Sequence, residues 1–149
     1  MKRLITTFAV LAAFALPAAA AADLIDLKIT DHGSSCFNNG TSVTCAGKIS
    51  GVGNDVTTAE LTVPFTCQNK PGNTVVGQSG GSSGPITPSN GQITYSVTTT
   101  SLSDKCTSSD GHTISFGPTA TVSFYQNNQL IFQLSCPTNG GPCTTTFSR

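Results

Sequence analysis

In the stretch from Thr58 to Cys67, TAELTVPFTC, Ala59, Leu61, Val63, Phe65 and Cys67 fall on one side and Glu60, Thr62, Pro64 and Thr66 on the other. A period of two held over this length admits one regular structure, a strand with one buried face and one wet face. The other apolar segments repeat the pattern. DLIDLKIT, with Ile25, Leu27 and Ile29 in register, predicts a first strand, and residues 42–50, with Val43, Cys45 and Ile49 inward, a second. Residues 92–100 point Ile93, Tyr95 and Val97 one way and set a hydroxyl row of Thr94, Ser96, Thr98 and Thr100 on the other. Such a row reflects β-propensity and solubility.

The last third reads as a short strand ending near Phe116, a break at Gly117 and Pro118, and a hairpin. Ala120, Val122 and Phe124 line one arm; Leu130, Phe132 and Leu134 line the other. A regularly paired two-residue turn at Asn127 and Asn128 would set Phe124 against Ile131 and Val122 against Gln133, turning the second apolar set to the wet side. A loop of three or five residues, or a bulge, aligns the two sets, and the expectation is the odd loop. Seven short strands with polar turns, and no helical periodicity after the N-terminal segment, predict an all-β, immunoglobulin-like β-sandwich, with a small β-barrel as the alternative. The chain has no Trp, so the expectation concerns architecture and not the antibody group.

The N-terminus carries Lys2 and Arg3, an apolar run from Leu4 to Leu16, Pro17 and a string of alanines. This is the composition of a secretory signal peptide over residues 1–22, with cleavage near Ala20 to Ala22. The run is shorter than the about 20 residues that span a bilayer. The expected product, residues 23–149, is a single domain that is secreted, periplasmic or held at the cell surface, with no stable membrane insertion after cleavage. Loss of Lys2 and Arg3 leaves five of the seven Lys and Arg against seven Asp and Glu. A chain so nearly neutral has no basic patch to neutralise phosphates, which argues against nucleic acid as a partner.

The core is modest, and six cysteines compensate: Cys36, Cys45, Cys67, Cys106, Cys136 and Cys143. An even count in an exported chain implies disulfides, and no C-x-x-C pair supports zinc. Of the 15 pairings that six cysteines permit, Cys36–Cys45 and Cys136–Cys143 are favoured as local bridges, leaving Cys67–Cys106 as the long-range one. By the loop-closure argument the first is worth about 2.5 kcal/mol and the last roughly 4 kcal/mol.

Between the organising strand and residue 92 lies QNKPGNTVVGQSGGSSGPITPSNG, residues 68–91, dense in Gly, Ser, Pro and Asn and without sustained periodicity. It reads as one long loop, and loops of this length in compact domains are either mobile or functional. As a candidate binding loop it offers Asn69, Pro71, Asn73, Gln78 and Asn90.

The segment Thr44, Cys45, Gly47, Gly51, Gly53, Asn54 (TCxGxxxGxGN) and the segment Cys67, Asn69, Gly72, Asn73, Gly77, Gln78 (CxNxxGNxxxGQ) resemble small secreted bacterial proteins that share them. The resemblance extends over most of residues 23–149. It implies export and a β-sandwich and no assigned activity, since the motifs are glycine and turn signals without reactive groups.

Catalytic constellations are absent from the pattern. His32 and His112 both sit in Gly-containing polar turns, and no G-x-S-x-G precedes a helix. Asp104 and Asp110 lack the alternating oxygen ligands of a calcium loop, and Asp23, Asp26 and Asp31 read as solvated. Asn39-Gly40-Thr41 is a glycosylation sequon that a bacterial leader would leave idle. No cofactor is implied. The expectation is a non-enzymatic extracellular module with a binding or structural role through polar loops, its partner an extracellular protein or a glycan. A strand-exchanging subunit of an extracellular assembly, and a secreted inhibitor or effector, are the alternatives.

Overall fold

A computed structural model describes residues 27–68, 72–100, 106 and 112–149. Residues 1–26, 69–71, 101–105 and 107–111, and with them the expected signal peptide and the first part of the DLIDLKIT segment, lie outside the described residues. Among the described residues ten strands are present: β1 (Thr30–Asp31), β2 (Ser35–Asn38), β3 (Val43–Ser50), β4 (Thr57–Gln68), β5 (Thr74–Ile86), β6 (Gln92–Thr98), β7 (Thr113–Phe116), β8 (Thr119–Gln126), β9 (Gln129–Pro137) and β10 (Thr144–Ser148). They form two antiparallel sheets that do not close into a barrel.

In the first sheet, Ser50 pairs with both Thr30 and Gln92, and Cys45 with both Cys36 and Val97. A strand has two edges, so β1 and β2 follow one another along one edge of β3 while β6 fills the other. The same reasoning orders the second sheet. Leu61 pairs with Gly81 and Val122, and Phe65 with Gly77 and Phe116. Hence β8 and β7 share one edge of β4, interrupted at Gly117 and Pro118, and β5 runs along the other. Beyond β8 lie β9 and then β10.

The alternating residues of β3, β4, β6, β8 and β9 meet between the sheets. Phe124 and Phe132 are the largest side chains fully buried there, with Leu61, Leu134, Ile49, Ile93 and the valines around them. Tyr95 of the first sheet stands edge-on to Phe124 of the second, ring centroids 4.9 Å apart, a geometry that suits the aromatic quadrupoles. Among the described residues, backbone hydrogen bonds cross between the sheets at the rims. Thr100 N–H donates to Gly80 O at 2.9 Å, and Asn38 N–H to Thr138 O at 2.9 Å. Disulfides join Cys36–Cys45, Cys67–Cys106 and Cys136–Cys143.

Four expectations are corrected. Among the described residues seven strands become ten, the additional ones being β2, β5 and β10, each at a sheet edge. In the described part of the expected first strand, residues 27–29 are not paired and the strand is Thr30–Asp31, although Ile29 is buried and Leu27 packs beside it. Residues 68–91 are not a loop: β5 pairs with β4 from Gln68↔Thr74 to Thr57↔Ile86. Its glycines are what bring it in. A Cβ on Gly77 would stand 2.8 Å from the Phe65 ring, and one on Gly81 2.1 Å from the carbonyl oxygen of Thr98. The aromatic covers the gap left on the glycine it faces, and the bare backbone lets the two sheets approach. An extra residue at Ser83 and Gly84 opposes Ala59, whose N–H donates to Ser83 Oγ at 3.0 Å, so the bulge leaves that donor satisfied.

The fourth correction is the final hairpin. Its turn is the two residues Asn127 and Asn128, both left-handed at φ 49° and 61°, as a type I′ turn requires. The alignment comes from a bulge instead: Tyr125 pairs with Leu130, Phe124 with Phe132, and Ile131 is the extra residue. Phe124 thus faces Phe132 and Val122 faces Leu134, the pairing the apolar sets demand.

Candidate functional site

Of the five candidate loop residues, the three described ones do not make one site. Asn69 and Pro71 lie outside the described residues. Asn73, just before β5, is exposed, and Gln78 is exposed opposite Pro64. Asn90 sits in the tight turn closed between Ser89 and Gln92, where Gly91 O accepts from Gly51 N and Val52 N. The length of β5 separates Asn73 from Asn90, roughly 40 Å at the rise of an extended strand. Asn90 lines a shallow depression of about 480 Å³ with Lys48, Thr87 and Gln92.

A second depression, of about 510 Å³, is lined by Val56, Thr58, Glu60, Tyr125, Asn127 and Asn128. Its floor is built by regular structure. Thr58 and Glu60 are consecutive outward positions of β4, and Tyr125 of β8 is the direct cross-strand partner of Thr58. The Ile131 bulge lies beside Tyr125, and the next residue, Gln126, turns inward and is buried. The Gln126 side-chain amide donates to Val52 O at 2.6 Å, Thr57 Oγ1 at 2.9 Å and Asp55 O at 3.1 Å. That network ties the segment carrying Val56 to the hairpin carrying Asn127 and Asn128. The rim is therefore pinned at both sides by buried polar contacts.

Chemically the depression holds one aromatic ring, one threonine hydroxyl, two amides and one carboxylate. Amides donate and accept, an ionised carboxylate accepts at two oxygens, and the hydroxyl does both. This set can exchange hydrogen bonds with a ligand rich in hydroxyls while the tyrosine ring covers an apolar ligand face.

Elsewhere polar residues are engaged with one another. His32 Nε2 is 2.7 Å from Ser50 Oγ, while Asp31, its neighbour in sequence, accepts from Ser34 N–H and Ser34 Oγ. Asn39 Oδ1 of the sequon accepts from the N–H groups of Thr41 and Ser42 at 3.0 and 2.8 Å and organises that turn. Beneath Ser34, burial pushes the Tyr95 hydroxyl up to about 12; the nearby Ser34 hydroxyl pulls it down in part, and the Asp31 carboxylate adds to the rise. The Ser34 hydroxyl donates its hydrogen to Asp31. The Tyr95 oxygen is left as the buried side-chain polar atom without a hydrogen-bond partner among the described residues.

Sequence reasoning did not single out Glu60, Tyr125, Asn127 or Asn128 as a site. Glu60 and Tyr125 are far apart in the chain, and only strand pairing joins them. The available signal was an acid on the wet side of the most regular strand, where every neighbour is Thr or Pro. Searches against protein-family models, curated proteins and solved structures find no match to this chain.

Proposed function

We propose that this chain is an exported, non-enzymatic binding module that takes glycan hydroxyls into the depression formed by Thr58, Glu60, Tyr125, Asn127 and Asn128. The carrying observation is that depression: an aromatic ring, amides and a carboxylate set side by side on paired strands and held by Gln126. Export is supported by the composition of residues 1–22 and by three disulfides, which persist where thiols are oxidised. Among the described residues no helix is long and apolar enough to cross a membrane. The strand-exchange alternative draws less support, because Ile29 of the segment that would be donated is buried in this domain's own core.

The test is retention of the purified exported protein on immobilised neutral polysaccharides and a glycan panel, followed by titration of the strongest binder. Tyr125→Ala is expected to weaken binding roughly tenfold or more, as loss of a central aromatic anchor does. Glu60→Gln is expected to weaken it by a similar factor through loss of a charged acceptor. Wild-type affinity in a folded Tyr125→Ala protein, or no retention on any glycan, overturns the reading.

A further inference from the structure

Two of the three disulfides are close neighbours. The Sγ atoms of Cys36, Cys136 and Cys143 all lie within 4.8 Å of one another, although Cys36 belongs to the first sheet and the other two follow from the second. The contact is held by the backbone independently of either bridge: Gly140 N–H donates to Cys36 O at 2.8 Å, Asn38 N–H donates to Thr138 O, and Phe37 bridges to Asn139. Cys36, Cys45 and Cys136 are fully buried, and Cys143 alone of the four is partly exposed. We infer that these two disulfides form a thiol-exchange site, in which an external thiol enters at Cys143 and the bridge is passed inward to link Cys36 with Cys136.

The steps follow from access and proximity. The thiolate is the attacking species, and its rate depends on which sulfur it can reach. An external thiolate of low molecular weight attacks Cys143 Sγ; a mixed disulfide forms there, and the Cys136 thiolate leaves. Cys136 is then a buried nucleophile beside Cys36 Sγ, the nearer half of the Cys36–Cys45 bridge. Its attack forms Cys36–Cys136 and expels the Cys45 thiolate, which takes a proton. A second external thiol resolves the mixed disulfide, freeing Cys143 as a thiol and leaving as the oxidised external disulfide. Two external thiols are oxidised and one protein disulfide is reduced. Two hairpin staples are replaced by one covalent tie between the sheets, at a rim where the described residues are otherwise joined by backbone hydrogen bonds.

The oxidised full-length exported protein is exposed to limiting glutathione at mildly alkaline pH, quenched with an alkylating reagent, and cleaved after Phe37 and at the lysines for mass spectrometry. The expected singly reduced species carries a Cys36–Cys136 cross-link with Cys45 and Cys143 alkylated and Cys67–Cys106 intact. Alkylated Cys136 and Cys143 beside an intact Cys36–Cys45 bridge overturns the inference, as does reduction of Cys67–Cys106 ahead of the other two. Cys143→Ser supplies the second arm, since it starts the chemistry with Cys136 already free. Isolation of Cys36–Cys136 with a free Cys45 supports exchange, and isolation of Cys36–Cys45 with a free Cys136 refutes it.

Discussion

Strand β4 has two kinds of neighbour, and the contrast between them explains most of this molecule. On one edge β8 presents Ala120, Val122 and Phe124 to the core, all fully buried. On the other, β5 is the longest strand, yet Ser79 is its one buried residue, four glycines interrupt it, and Val75 and Val76 are left exposed. The first neighbour is held by what its side chains bury, and the second by backbone hydrogen bonds along β4 and by the absence of side chains where Phe65 and Thr98 approach. A strand can therefore be specified by its own pattern or by its partner's. Edge strands take the second route, because one of their margins and much of their surface stay in water.

The widest expected effect separates the two routes. Phe124→Ala removes the ring that packs on both Tyr95 and Phe132, and should cost about 3–5 kcal/mol in denaturant unfolding, as such truncations do in a core that cannot collapse. A loss under about 1 kcal/mol would break the claim that β8 is held by burial. Next comes Gly81→Ala. The added methyl group meets the Thr98 carbonyl, a backbone atom that cannot swing aside, and about 2–3 kcal/mol of stability should go with it. Were that substitution neutral, β5 would owe its position to something other than close backbone approach.

The smallest effect sharpens the burial side. Tyr95→Phe keeps the ring on Phe124 and deletes an oxygen that is buried without a hydrogen-bond partner among the described residues, so stability at neutral pH should hold or rise within about 1 kcal/mol. Its signature is in alkali. The hydroxyl titrates near 12 in the folded chain against 10.0 for an unperturbed tyrosine, so between these values the folded state keeps a proton that the unfolded state gives up. The contribution is whole below pH 10 and is lost as pH rises through 12, amounting to about 2–3 kcal/mol. Unfolding free energies of the two proteins across that window should diverge in favour of the variant, and parallel curves would show the phenol is solvated.

The strands that alternate were legible: residues 43–50, 57–68, 92–98 and both arms of the last hairpin stand where Val43, Leu61, Ile93, Val122 and Leu134 put them. The hairpin also shows the limit of reading a pattern. The apolar sets required one residue of offset, but an odd loop and a bulge supply it equally, and nothing local in Leu130-Ile131-Phe132 favours either. Two asparagines able to adopt left-handed backbone made the tight turn available, which moved the offset to Ile131. The candidate site was less legible still. Glu60 gains meaning from Tyr125 across the ladder, while Asn73 and Asn90, close in composition and motif, are parted by the strand between them.

By itself the sequence determined the all-β class, the face each central strand buries and a cysteine complement suited to oxidation, because side-chain alternation and cysteine count are local properties that survive any arrangement of neighbours. Tertiary structure decided the edges, the bulges, the meeting of two disulfides at one rim and the company Glu60 keeps. Those depend on which backbone lies alongside which, and a segment of glycine and serine carries too little side-chain information to choose its partner before the partner is in place.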